Sequence, residues 1–81
     1  MDIRYFAWLR ERIGIAHEQV ETDAETVAEL IEELKTRSDA HAFAFSDTAA
    51  LRAAVDQDLV TFDAPVKDAT EVAFFPPMTG G

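Results

Sequence analysis

Hydrophobic positions fall into a helical rhythm over one stretch of the chain and into short strand-like runs elsewhere. In TVAELIEELKTR, Val27, Leu30, Ile31 and Leu34 stand at i, i+3, i+4 and i+7. That spacing lines one face of an α-helix and leaves Glu29, Glu32 and Glu33 on the solvent side. Thr26 and Glu29 have the spacing of a capping box, in which two side chains satisfy backbone N–H groups at the helix start. Lys35 and Arg37 sit in the last turn, where the helix dipole favours cations. The pattern predicts a helix over 26–37.

Around that helix the pattern is one of short β-forming segments. DIRYFAW is a first strand. LRERIG closes on Gly14, a residue suited to the C-cap of one or two helical turns. HEQVET, anchored by Val20, reads as an edge strand paired to the first. SDAHAFAFSD mixes Ala with alternating Phe43 and Phe45 and is expected to form a short irregular helix over the core. LRAAVDQ is a strand with a turn near Asp58, LVTF is a brief strand, and DAPVKDAT is turn-rich. EVAFF is a last strand, apolar enough to be central, and it ends at Pro76 and Pro77, which cannot donate to a ladder.

This order predicts an α+β fold, a mixed sheet wrapped on one main helix in the manner of the ubiquitin-like β-grasp. The expected core is Ile3, Val27, Leu30, Ile31, Leu34, Val55, Val72 and Phe74. By alternation Phe75 then faces outward, near Leu59, Pro77 and Met78. Residues 1–77 are expected to form the domain and residues 78–81 a flexible C-terminal tail with an extended Gly-Gly end.

Length and composition narrow the function classes. A chain of 81 residues has room for one domain. It has no Cys, so it can carry neither a disulfide nor a thiolate metal site nor a persulfide, and a cytoplasmic address fits. No signal-peptide core or membrane-length apolar run is present. The formal charge of −9, from 16 acidic and 7 basic residues, repels nucleic acid. It favours a partner with a basic surface, and it also serves solubility or life in salt.

The usual catalytic constellations are missing. His17 and His41 stand in unrelated contexts without metal-ligand spacing and read as surface or structural residues. The carboxylates are scattered, and no glycine-rich phosphate loop exists among three glycines. No bound cofactor, no metal and no catalytic site of its own are therefore expected.

What remains is the ending, EVAFFPPMTGG. Pro76 and Pro77 stiffen the base of the tail in an extended form. Gly80 and Gly81 have no Cβ and can enter a channel too narrow for side chains. From Met78 to Gly81 the backbone reaches roughly 13 Å at full extension, enough to deliver the Gly81 carboxylate to a partner's active site. Once adenylated, that carboxylate is an electrophile that two glycines leave uncrowded.

On these residues the chain resembles the small subunits of molybdopterin synthase, sulfur carriers of the β-grasp class. YFAWLRERIG, TVAELIEELK, AAVDQDLV and EVAFFPPMTGG carry the resemblance, the last most specifically. It implies that an ATP-dependent activating enzyme adenylates Gly81 and converts it to a thiocarboxylate, and that the synthase large subunit receives the tail. Sulfur then passes to cyclic pyranopterin monophosphate to build the dithiolene. ATP is used by the activating enzyme and is not bound here.

On this view Gly81 and Gly80 are the reactive end, and Leu59, Phe75, Pro76, Pro77, Met78 and Thr79 meet the partner. Two other readings share fold and activation: a ubiquitin-like modifier joined through Gly81 to lysines, and the sulfur carrier of thiamin thiazole synthesis. The chain departs from the family pattern at Asp56, usually Asn, and at Ala69-Thr70, usually Gly-Asp. An Ala69 in a left-handed turn costs about 1 kcal/mol; otherwise the turn is of another type.

Overall fold

The computed structural model describes residues 1–77. In chain order they form strand β1 (Asp2–Tyr5), helix α1 (Ala7–Ile13), strand β2 (His17–Gln19), helix α2 (Val27–Lys35) and helix α3 (Asp39–Ala44). A 3-10 turn (Thr48–Ala50) follows, then strands β3 (Arg52–Val55), β4 (Asp58–Val60) and β5 (Glu71–Phe75). The sheet order is β2-β1-β5-β3-β4. The apolar last strand is central as its composition demands, parallel to β1 and antiparallel to β3. β2 is the edge partner of β1, with Ile3 opposite Glu18.

Each element is shorter than its hydrophobic segment. β1 stops at Tyr5 because Phe6 caps α1 with an extended backbone and Ala7 takes a left-handed φ of 54°. α1 closes on Gly14, whose φ of 94° is the left-handed C-cap conformation that glycine adopts without strain. α2 runs from 27 to 35 with Thr26 as its N-cap, and the Thr26 hydroxyl accepts from the Glu29 N–H at 3.2 Å.

In the expected capping box the Glu29 carboxylate reaches back to the Thr26 hydroxyl at 3.3 Å rather than to its backbone N–H, and tertiary contacts satisfy the next two donors. The Val27 and Ala28 N–H groups donate to the carbonyls of Ala64 and Phe62, so the 60s segment satisfies the helix start. LRAAVDQ and LVTF likewise contribute only 52–55 and 58–60 to strands, because Asp56 and Gln57 form the turn between them.

Side chains from β1, β3, β5 and all three helices meet in one core. Seven of the eight expected core residues are buried; Val55, at the end of β3 beside the turn, is only partly so. Tyr5, Leu9, Phe45, Leu51 and Val66 complete the core. An edge-to-face series links Phe74 to Phe45 (centroids 5.1 Å apart) and Phe45 to Tyr5 (6.2 Å). The other face of the sheet carries Arg4, His17, Arg52 and Leu59, all exposed.

The β3–β4 turn decides the two departures noted in the sequence. Asp56 and Gln57 have φ of 48° and 75°, the consecutive left-handed pair of a hairpin turn that matches strand twist. Ala69 is not in the left-handed region; its N–H donates to Val66 in a turn of a different type. Asp56 then reaches across to β5. Its Oδ1 accepts from the N–H groups of Thr70 and Glu71 at 2.9 and 3.0 Å, and its own N–H donates to Glu71 O.

An Asn amide oxygen can accept the same two bonds and tolerates the same φ, so this turn is open to Asn as well as Asp. Asp56→Ala is expected to lower stability by about 1–2 kcal/mol and Asp56→Asn by less than about 0.5 kcal/mol. Urea midpoints of the three proteins check this.

His41 proves to be structural and buried, and His17 lies on the surface. Glu18 gathers three partners from three places. Tyr5 Oη on β1 donates at 2.7 Å, His41 Nε2 on α3 lies at 2.8 Å, and Arg37 beyond α2 lies at 3.0 Å. Ser38 Oγ, 2.7 Å from His41 Nδ1, orients the ring.

Burial alone raises the Glu18 carboxyl, but hydrogen bonds from His41 and Tyr5 and the charge of Arg37 outweigh it and hold the pKa below the ordinary value. Burial, then the Glu18 bond, pushes the Tyr5 hydroxyl up. A depressed carboxyl pKa stabilises the fold above the unfolded-state value of 4.5 and stops doing so as pH falls through the folded value. Wild type is therefore expected to lose more stability below pH 4.5 than Glu18→Gln does. Chemical denaturation of both at a series of acidic pH values measures the difference.

Candidate functional site

The tail leaves from the middle of the sheet. β5 holds its base between β1 and β3 through eight aligned residue pairs, and its last side chains alternate. Phe74 is fully buried; Phe75, Pro76 and Pro77 are half-buried. Phe75 lies opposite Arg52 on the outer face, and Ala73 lies opposite Ala54, which faces Leu59. Leu59 is 71% exposed. Phe75 and Leu59 thus share a face, as expected, but stand in different rows, with Ala54 and Ala73 between them rather than in contact.

Apart from Arg52, this half of the outer face is apolar, with Ala54, Leu59, Ala73 and Phe75. The half over β1 is charged, with Arg4 Nε bridging Asp2 at 2.9 Å and Glu71 at 3.3 Å. An apolar strip rimmed by ion pairs is the composition of a protein-binding surface. Met78, Thr79, Gly80 and Gly81, the other expected site residues, lie outside the described residues.

Phe6 was not singled out by its position in the sequence. Its N–H donates to Phe74 O at 3.1 Å, and its ring is 47% exposed. It therefore stands at the end of the sheet from which the tail departs. The signal in the sequence was an aromatic directly after a strand, where alternation with buried Tyr5 turns it outward.

Among the described residues no group of three or more His, Cys, Asp or Glu is placed to hold a metal ion. No helix among them is long and apolar enough to cross a membrane.

Comparison with known proteins matches this geometry. The family model described as the ThiS family matches residues 3–81. The molybdopterin synthase sulfur carrier subunit of Escherichia coli (strain K12) is 46% identical over 79 residues, covering 98% of this chain and 96% of that protein. The subunit of the same name from Haemophilus influenzae is 37% identical over 81 residues, covering 100% and 99%.

Among solved structures, a protein assigned as molybdopterin converting factor, subunit 1, from Pyrococcus furiosus superposes with a TM-score of 0.74 at 30% identity, covering 95% of each chain. SAMP1 from Haloferax volcanii superposes with a TM-score of 0.75 at 23% identity, covering 100% of this chain and 98% of that one, and shares the fold. With a β-grasp sheet, a family model matching residues 3–81 and relatives similar over their full length, the chain belongs to the ThiS family, among the molybdopterin synthase sulfur carrier subunits.

Proposed function

We propose that this protein carries sulfur on its C-terminus and delivers it in molybdenum cofactor biosynthesis. The carboxylate of Gly81 attacks the α-phosphate of ATP on an activating enzyme, releasing pyrophosphate and forming an acyl adenylate. A sulfur donor at the sulfide level then displaces AMP, leaving the thiocarboxylate. In the large subunit of molybdopterin synthase this sulfur is passed to cyclic pyranopterin monophosphate, and two such transfers supply the dithiolene.

The domain contributes position: β5 fixes where the tail starts, and the face bearing Leu59, Phe75, Pro76 and Pro77 docks on the large subunit while Met78 and Thr79 line its entrance. The thiocarboxylate needs no thiol of its own, consistent with a chain without Cys. ATP serves the activating enzyme, and the exchange takes place in the cytoplasm.

The observation that carries this reading is the family match, which runs through Gly81 at the end of a chain similar over its whole length to named sulfur carrier subunits. The test is reconstitution. The purified carrier, incubated with its activating enzyme, ATP and a sulfur source, should gain in intact mass the difference between sulfur and oxygen, located in the C-terminal peptide. Mixed with the large subunit and cyclic pyranopterin monophosphate, it should yield molybdopterin and return to its starting mass. Sulfuration without molybdopterin formation would redirect the reading toward another sulfur acceptor.

A further inference from the structure

Arg12 is held flat between two aromatic rings. Its guanidinium carbon lies 4.4 Å from the ring centroid of Trp8 and 4.6 Å from that of Phe43. Trp8 and Arg12 are one helical turn apart on α1, while Phe43 comes from α3. With both faces stacked, the guanidinium keeps only its N–H edge for hydrogen bonding. That edge is a fork of donors that matches a carboxylate.

Yet no carboxylate pairs with Arg12 among the described residues, although Arg4, Lys35 and Arg37 are all paired. Arg10, Arg52 and Lys67 also lack a carboxylate within ion-pair distance among the described residues, but of these cations Arg12 is the one that lies over two aromatic rings. The stack is also open to solvent: Arg12 is exposed, and Phe43 is 60% exposed.

Its place in the fold points to the docking side. α1 is capped by Phe6, whose N–H is bonded to Phe74 O at the end of the sheet where the tail departs. Trp8 follows two residues later. Exposed Phe6, beside the end of β5, is thus followed on α1 by Trp8 and Arg12, with Phe43 of α3 against them.

We propose that the Trp8–Arg12–Phe43 stack is a second contact for the large subunit, at which the Arg12 edge receives an Asp or Glu carboxylate of that partner. Phe43 packs against the apolar side chain beside that carboxylate. The inference rests on the sulfur-carrier reading. The surplus negative charge of the carrier draws in a basic surface in many orientations. A carboxylate on that surface is accommodated opposite Arg12, whose edge is already oriented, and is repelled where it meets the carrier's own acids. The contact therefore sets the register in which Gly81 meets the active site, and it acts through specificity more than through raw attraction.

The experiment titrates the full-length carrier into its own large subunit by calorimetry at low and moderate salt, with thermal melts of every variant. Arg12→Gln is expected to weaken binding by about tenfold and to reduce the salt dependence. The thiocarboxylated variant should show the effect in KM for the carrier rather than in kcat. Arg12→Lys, which keeps the charge and loses the planar fork, should recover only part of it. Phe43→Ala, at an exposed position, should weaken binding with its melting point nearly kept.

The proposal is overturned if Arg12→Gln and Phe43→Ala bind within about twofold of wild type while Phe75→Ala binds poorly; the sulfur-carrier reading then still stands. It is also overturned if affinity falls only in proportion to melting temperature across the variants, since the stack would then merely join α1 to α3. A wild-type carrier that fails to bind the large subunit overturns both readings.

Discussion

A carrier lacking Gly81 is expected to melt at the temperature of the full chain and to transfer no sulfur. β5 ends at Phe75, so Gly81 stands six residues beyond the last ladder bond. It has no side chain to bury, and the core is built from residues between Ile3 and Phe74. On the proposed sulfur-carrier reading the chemistry depends on it wholly. With Gly81 removed, the new terminal carboxylate on Gly80 is one residue, about 3.5 Å, short of the reacting centre. Near-attack geometry requires reacting atoms within about 3–3.5 Å of each other, so the shortened tail misses both activation and transfer.

Appending a residue after Gly81 is expected to be as harmful for a different reason: the reactive carboxylate becomes an amide. Calorimetric melts, intact mass after incubation with the activating enzyme, and single-turnover molybdopterin formation measure the three consequences. Product formation at a comparable rate without Gly81 would refute the role given to the tail. Unfolding on its removal would make the tail structural.

Phe74→Ala is expected to cost about 3–5 kcal/mol. A domain of this size has roughly 4–12 kcal/mol in total, so the variant should be largely unfolded at physiological temperature. Phe74 is fully buried on the central strand and closes the aromatic series through Phe45 to Tyr5. Its removal leaves a cavity bordered by sheet on one side and α3 on the other, where little can collapse.

The next residue is the contrast. Phe75, half-buried on the outer face opposite Arg52, should cost less than about 1.5 kcal/mol on truncation and weaken binding to the large subunit instead. Urea denaturation with calorimetric titration separates the two effects. Equal stability losses at the two positions, with binding intact in Phe75→Ala, would show the docking face to be misassigned.

Local periodicity determined a good part of this protein. The stripe of Val27, Leu30, Ile31 and Leu34 made α2 readable because a helix repeats its face every three to four residues. The apolar run 71–75 made β5 central because only a strand covered on both sides tolerates such composition. The Gly-Gly ending after two prolines pointed to the proposed chemistry because such a signal is read without a fold. Pattern cannot name the partner on the other side of a contact, and that is what tertiary structure decided.

Tyr5, Glu18 and His41 carry no shared local signal, yet they form one hydrogen-bonded group because β1, β2 and α3 converge. The start of α2 is satisfied by Ala64 and Phe62, more than thirty residues away, so the capping box predicted from Thr26 and Glu29 closed only halfway. The turn expected near Asp58 is made by Asp56 and Gln57, and Asp56 is the clip on Thr70 and Glu71. Nothing local to Arg12 signals that α3 brings Phe43 against it. Periodicity reports which way a side chain faces; what it meets there is set by elements distant in sequence, whose approach no local propensity encodes.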